Sequence, residues 1–383
     1  MDFRWPQEYL DFRDEVETFI DEWRSPELAQ EMREREGAPG PKGREYYEAL
    51  QEKGWMRMCW PKDMGGEGRN PIYQFVMVEA MEYWRMPYGN LTFTSIAPSI
   101  AQYGSDYQKE RYLPGIWNGD LVFAIGYSEP NAGTDLASLR TRGEKVDGGW
   151  KVNGQKIWTS LAQQSTQIWL ATRTDPDAKK HAGISVLIVQ SDAPGVTIRP
   201  LKTMGGMVTY ETFYDDVFVP DEDVLPPLHG GWPIIMHALN HERVGLSPTS
   251  NLVRNYDLVI EHLQQHAPEK LADPVVRARL AELRMELQRH RALAIRNAIT
   301  IATGEIKPGE ASMAKISGSE LRYRMTTLLM DILGRVGGLE EGDELAVAQV
   351  QGNYLASPIL RFGGGTNEVQ RSIIAARHLG MTR

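Results

Sequence analysis

Cysteine is almost absent from this chain: Cys59 stands alone among 383 residues, so there is no internal disulfide and no cysteine-based metal cluster. The eight histidines show no H-E-x-x-H spacing, so a metal-free site in a reducing compartment is expected. Positive charge is not in excess either. Lys and Arg number 42 against 51 Asp and Glu, a net charge of −9, and no basic stripe with interleaved aromatics occurs. That balance argues against a nucleic-acid partner. No uninterrupted apolar run approaches the roughly 20 residues needed to span a bilayer. The opening stretch, MDFRWPQEYLDFRDEVETFIDEW, mixes charges into an amphipathic pattern instead of the apolar core of a signal peptide. These absences leave a cytoplasmic protein without membrane contact as the expectation. With 42% hydrophobic and 24% charged residues, the chain has material for two or three domains.

The texture changes twice along the chain. Up to about residue 119 it is helical, with apolar residues at steps of three and four in Tyr9, Phe12, Val16, Phe19 and Ile20 and at steps of three in Phe75, Val78 and Met81. The interval W-P-K-D-M-G-G-E-G at 60–68 breaks regular structure. No strand precedes it and no P-loop Lys-Ser/Thr follows, so a structural turn outweighs a phosphate cradle. From about 120 to 227, short β-branched and alternating runs at 168–171, 183–189 and 213–220 are separated by Gly, Pro, Asp and Asn, which suggests a compact β-barrel or sandwich. After Gly230 and Gly231 the helical period returns, with long segments near 232–265, 274–303, 309–336 and 366–379 that read as a bundle. The expected class is α+β, divided as 1–119 (helical), 120–228 (β) and 229–383 (a four-helix bundle).

Residues 123–160 read FAIGYSEPNAGTDLASLRTRGEKVDGGWKVNGQKIWTS, and 361–381 read RFGGGTNEVQRSIIAARHLGM. Both segments, the W-P-x-x-x-G-G-x-G loop and the α, β, α order resemble the acyl-CoA dehydrogenase family across essentially the whole chain. The resemblance implies FAD as cofactor and α,β-dehydrogenation of an acyl-CoA thioester to a trans-2-enoyl-CoA. A flavin ring needs fixed hydrogen-bonding groups at its pyrimidine edge and at N5, which short hydroxyls and turn amides provide. By the resemblance, Ile125, Tyr127 and Ser128 line the pyrimidine side, while Gly133 and Thr134 lie near the pyrophosphate and the thioester end of the substrate. Trp158 covers a flavin face, Thr159 belongs to the same cofactor segment, and Ser160 offers its hydroxyl to N5. Thr366, Asn367 and Glu368 fall on the adenosine side.

At the position where most members carry their catalytic glutamate, this chain has Gly364. Glycine cannot take a proton, but it keeps a backbone N–H for the thioester oxygen. Some relatives, including isovaleryl-CoA and long-chain enzymes, place the base on the helix that opens the bundle, and the matching residue here is Glu242. Steps of four, three and four link Ile235, Leu239, Glu242 and Leu246, so position 242 shares an apolar face, where burial raises a carboxyl pKa toward a useful range. On pattern alone, a stripe-edge glutamate paired with a neighbouring cation fits equally well. The empty usual site and the resemblance favour Glu242 as base, with Asn240 and Arg243 contacting coenzyme A.

The chain also departs from the family. Homotetrameric members lend each neighbour an R-x-x-F-G motif and a Q-x-x-G-G-x-G motif that hold the FAD pyrophosphate and adenosine. The first region here reads EHLQQHAP at 261–268, without the arginine, and the second places Asp331 where the glutamine belongs. This pattern resembles subunits of heteromeric acyl-CoA dehydrogenases from bacterial steroid side-chain degradation. It implies a base-carrying subunit that works with a homologous second chain in an α2β2 assembly, with electron-transfer flavoprotein as acceptor. A self-sufficient homotetramer for a branched or aromatic acyl-CoA and a catalytically silent partner subunit remain the alternatives.

Overall fold

The computed structural model describes residues 5–35, 39–89, 91–245, 249–302, 308–334 and 345–381, with the backbone alone for 33, 63, 242–245, 301 and 345–347. The N-terminal helices are α1 (Gln7–Trp23), α2 (Pro26–Glu34), α3 (Pro41–Glu52), α4 (Pro71–Trp84), α5 (Ala97–Tyr103) and α6 (Asp106–Trp117). In α1 the buried residues are Tyr9, Phe12, Val16, Phe19 and Ile20, the stripe that the spacing predicts. They meet Met77 and Met81 of α4 in one apolar cluster. Helix α4 starts where Asn70 accepts from the Ile72 N–H at 3.0 Å and Pro71 presets the first turn. Ser105 and Gln108 form a reciprocal capping box on α6. The 60–68 interval is a structural turn. Its own carbonyls take the Gly66 and Gly68 N–H groups, and a Cβ on Gly66 would sit 2.2 Å from the Trp60 carbonyl oxygen.

The middle region is one seven-stranded sheet built from β1 (Phe123–Gly126), β2 (Arg142–Val146), β3 (Gly149–Lys156), β4 (Gln167–Arg173), β5 (Ile184–Gln190), β6 (Val196–Lys202) and β7 (Val208–Pro220). The order is β1-β4-β2-β3-β7-β6, with β5 paired to β4. Strands β4 and β5 are buried on both faces, which explains their near-continuous apolar runs. One face, with Trp169, Val186 and Ile188, packs on α5, α6 and the first bundle helix. The other, with Ile168, Leu170, Leu187 and Val189, packs on Trp150, Val152, Tyr214 and Val217 from β3 and β7.

The C-terminal region holds α7 (Gly231–Gly245), α8 (Ser250–His266), α9 (Pro268–Ala272), α10 (Pro274–Ala302), α11 (Pro308–Leu333), α12 (Leu345–Ala356) and α13 (Asn367–Ile373). The 232–265 segment is two helices rather than one, and the interval between them contains Pro248, a helix breaker by its chemistry. Helix α12 is an addition to the expected set: LAVAQVQGNYLA has no clean polar face to announce it. Leucines of α8, α10 and α11 meet Val350 of α12 in the bundle core.

Candidate active site

The edge of β1 and the end of β3 are joined by a short buried network. Glu129, just past β1, accepts from the Arg140 N–H at 2.7 Å, the Thr141 N–H at 2.8 Å and the Lys156 ammonium at 2.9 Å. Lys156 also donates to the Tyr127 carbonyl at 3.0 Å. Both side chains are shielded, Lys156 at 0% and Glu129 at 9% exposure. Burial pushes the ammonium down to about 8 against the pull of Glu129. For Glu129, burial works the other way, but Lys156 and the two N–H groups outweigh it and hold the carboxyl below its ordinary value. The pair therefore fixes Tyr127 and Ser128 against β3. The Ile157 N–H closes the seam on the Ser128 carbonyl at 2.9 Å, and Tyr127 accepts from the Trp169 indole at 3.0 Å. Ile125 pairs with Trp169 across β1 and β4.

One residue past that seam, Trp158 stands at φ +64° and is 59% exposed. A large aromatic ring held out in the left-handed region is costly unless something covers it. Thr159 is buried, with its N–H on the Tyr210 carbonyl at 3.0 Å and its hydroxyl 3.4 Å from Thr212. The Ser160 hydroxyl lies 3.2 Å from that of Thr209, a partner the sequence motif does not reveal. Gly133 and Thr134 are exposed, and no atom lies within 4 Å of where a Gly133 Cβ would stand.

The glycine turn before α13 is pinned from inside. Lys315 donates to the Arg361 carbonyl at 3.2 Å, the Gly365 carbonyl at 2.9 Å and Asn367 Oδ1 at 2.9 Å. Gln370 donates to the Gly364 carbonyl at 3.1 Å and is itself held by Ser312 at 2.8 Å. Gly364 has φ +67° and Gly365 φ +95°, so glycine is the fitting residue at both. Thr366 caps α13 through the Val369 N–H, and Glu368 follows in its first turn. Asn367 is fully buried, its oxygen taken by Lys315 and Ser319.

The third element is α7. Ile234, Ile235 and Ala238 are buried, and Leu239 packs beside them. Asn240 is half-buried on the same helix. Glu242 and Arg243 continue the helix, but their side chains lie outside the described residues. The structure adds a neighbour that pattern reading missed, although the i,i+4 histidine spacing signals it. The rings of His237 and His241 lie 4.5 Å apart, tilted at 53°, and His237 Nδ1 lies 3.1 Å from the Ser99 hydroxyl. Burial, then His237, pushes the His241 imidazole down to about 4. The residue that precedes Glu242 in the chain is thus neutral at neutral pH. A single π-helical turn, Thr92–Ile96, ties this helix to the sheet. The Phe123 N–H donates to the Thr92 hydroxyl at 2.9 Å, and the Ser95 hydroxyl donates to the Ala238 carbonyl at 2.9 Å.

The Asp331 carboxylate is not isolated: Arg279 pairs with it at 2.7 Å. Lys270 caps the end of α11 through the Ile332 carbonyl at 2.7 Å. In the 261–268 region, the rings of His262 and His266 lie 5.0 Å apart on α8, tilted at 35°.

This helical–sheet–helical order, with an exposed tryptophan after β3 and a pinned glycine turn before α13, is the architecture of a flavin-dependent acyl-thioester oxidoreductase. The chain belongs to the acyl-CoA dehydrogenase family. It matches the family's N-terminal domain over residues 6–120, its middle domain over 124–217 and its C-terminal domain over 229–379. It is 37% identical to acyl-CoA dehydrogenase FadE26 of Mycobacterium tuberculosis, covering 97% of each chain, and 36% identical to FadE29 of the same organism over 96% of each. Among solved structures it superimposes on the Tcur3481-Tcur3483 steroid ACAD and on the ChsE4-ChsE5 complex from Mycobacterium tuberculosis. Each gives a TM-score of 0.91 at 36% identity over 100% of both chains. Members of this family are FAD-dependent, and the residues here fit such a group. The exposed Trp158, the open space at Gly133 and the buried Asn367 Nδ2, which has no partner among the described residues, are features that a bound dinucleotide would cover or satisfy.

Proposed function

We propose that this chain is the base-carrying subunit of a heteromeric acyl-CoA dehydrogenase acting on a bulky, steroid-derived CoA thioester. The observation that carries the reading is the pinned glycine turn: at 364 the backbone is left-handed, so this position suits a glycine donor rather than a glutamate. Of the similar structures, one is a steroid ACAD, Tcur3481-Tcur3483, and the other is the ChsE4-ChsE5 complex, which supports the substrate class and a second subunit respectively. The division into 1–119, 120–228 and 229–383 goes with this reading.

In it, Glu242 takes the α proton of the thioester, and the Gly364 N–H holds the thioester oxygen as charge develops there. Bound FAD would accept the β hydrogen with its electron pair, leaving trans-2-enoyl-CoA, and electron-transfer flavoprotein would take the electrons on. Ile125, Tyr127, Ser128, Trp158, Thr159 and Ser160 orient the ring; Gly133, Thr134, Thr366, Asn367 and Glu368 serve the remaining cofactor contacts. Thr134, Asn240 and Arg243 hold the coenzyme A side.

Glu242→Gln tests the assignment. The amide is isosteric and loses only the proton acceptor, so FAD content should be retained while substrate-driven flavin bleaching slows by at least about 10²–10⁴. Bleaching at the wild-type rate would mean another base operates.

A further inference from the structure

Two arginines meet at the junction of α4, α8, α11 and α12. Arg85 follows α4 directly, at φ +59°, and Arg322 sits midway along α11. Arg85 Nη2 donates to Asn255 Oδ1 at 2.8 Å. Arg322 Nη1 donates to Asn251 Oδ1 at 3.1 Å and Asn353 Oδ1 at 3.3 Å. The amides are also bonded to one another, Asn353 to Asn255 at 3.1 Å and Asn255 to Asn251 at 3.5 Å. Every amide oxygen in the cluster is therefore in use, while each guanidinium, with five N–H groups, has spent a single nitrogen among the described residues.

Charge is as unbalanced as hydrogen bonding. Among the described residues neither arginine has an ion pair. Glu82 is the nearby acid, and its carboxylate already accepts from the Tyr88 hydroxyl at 2.8 Å. Arg254 adds a further positive charge, itself paired to Glu261 at 3.0 Å. Burial, then Arg322, pushes the Arg85 guanidinium down to about 10, and burial also lowers Arg322. Yet Arg85 is exposed and Arg322 only half-buried. Both guanidinium groups thus keep access to solvent beside the amide cluster that holds them. Asn255 in that cluster is fully buried, and beside Asn353 no atom lies within 4 Å of where a Gly352 Cβ would stand.

The geometry points to an oxyanion-binding site between Arg85 and Arg322, taking a carboxylate or a phosphate. The guanidinium fork matches the paired oxygens of either ion, and an anion between the two cations turns their repulsion into attraction. The ion has two sources, a free anion or a carboxylate at the far end of the acyl group. The second rests on the dehydrogenase reading above, and the first does not.

The test uses the FAD-loaded assembly in a sulfonate buffer of constant ionic strength, titrated with sodium phosphate and with sodium acetate and read by Tm and calorimetry. Wild type should show a saturating rise in Tm, with apparent affinity at least tenfold weaker in Arg85→Gln and in Arg322→Gln. Arg322→Lys, which keeps the charge and loses the fork, should weaken binding even where the glutamine variants do not fold. A tenfold rise in KM in these variants for a ω-carboxyacyl-CoA, with none for the methyl-ended acyl-CoA of equal length, assigns the site to the substrate. Equal KM values with a weakened phosphate response assign it to a free ion. A response that never saturates, or is the same in wild type and variants, overturns the site. Binding is read without turnover, so an assembly lacking dehydrogenase activity would still answer the question.

Discussion

Lys156 holds the 127–129 segment, proposed to line the flavin edge, through one ammonium, and that concentration makes it a sharp point of failure. Replacing it by Met leaves Glu129 buried without its counter-charge, although two backbone N–H groups remain. Breaking a buried pair in this way costs about 3–5 kcal/mol. Lys156→Met should lower stability by that order in denaturant titration and weaken FAD retention, because the Tyr127 carbonyl loses its tether. Lys156→Met with Glu129→Gln should recover part of the loss in stability, since no uncompensated charge then remains. Equal stability of wild type and the single variant would show the pair to be incidental. The Glu and Lys letters were plain in the motif. Their pairing, and the Ser160–Thr209 contact, were not, because each joins strands whose register only the folded sheet defines.

At the scale of elements, α7 links the apolar core to the proposed base, and its histidines tie its placement to pH. His241 ordinarily titrates at 6.5 and is pushed to about 4 in the folded chain. Above pH about 6.5 neither state is protonated, so the group costs nothing. Between about 6.5 and 4 the unfolded chain takes a proton that the folded chain refuses, and stability falls as pH falls. Denaturant titrations across that window should give a shallower slope for His241→Phe than for wild type; identical slopes would place the acid sensitivity elsewhere. The amphipathic period made α1, α10 and α11 legible in sequence, and the turn residues marked the sheet. The split between α7 and α8 was legible only through Pro248, which the reading of 232–265 as one segment passed over, and α12 was not legible, since LAVAQVQGNYLA has no clean polar face. The π-helical turn Thr92–Ile96 was equally silent, because its role comes from Phe123 on one side and Ala238 on the other.

For the whole molecule, the balance of phosphate-binding groups governs assembly. In the proposed reading this chain supplies the flavin-ring side, but nothing in 261–268 offers an arginine, and Arg279 beside Asp331 is paired with it at 2.7 Å. A pyrophosphate needs fixed donors on both sides. The long helix α10 also leaves Val275, Met285 and Ile299 exposed, apolar surface suited to burial against another subunit. Purified alone, the chain should therefore be FAD-poor or prone to aggregate. Co-expressed with a homologue carrying the R-x-x-F-G and Q-x-x-G-G-x-G motifs, it should form an α2β2 assembly with one FAD per pair of unlike subunits. Flavin absorbance against protein concentration, with the mass of the complex, measures both quantities. A homotetramer holding one tightly bound FAD per subunit and turning over acyl-CoA would reject the heteromer, and it would require pyrophosphate donors from some other part of this chain.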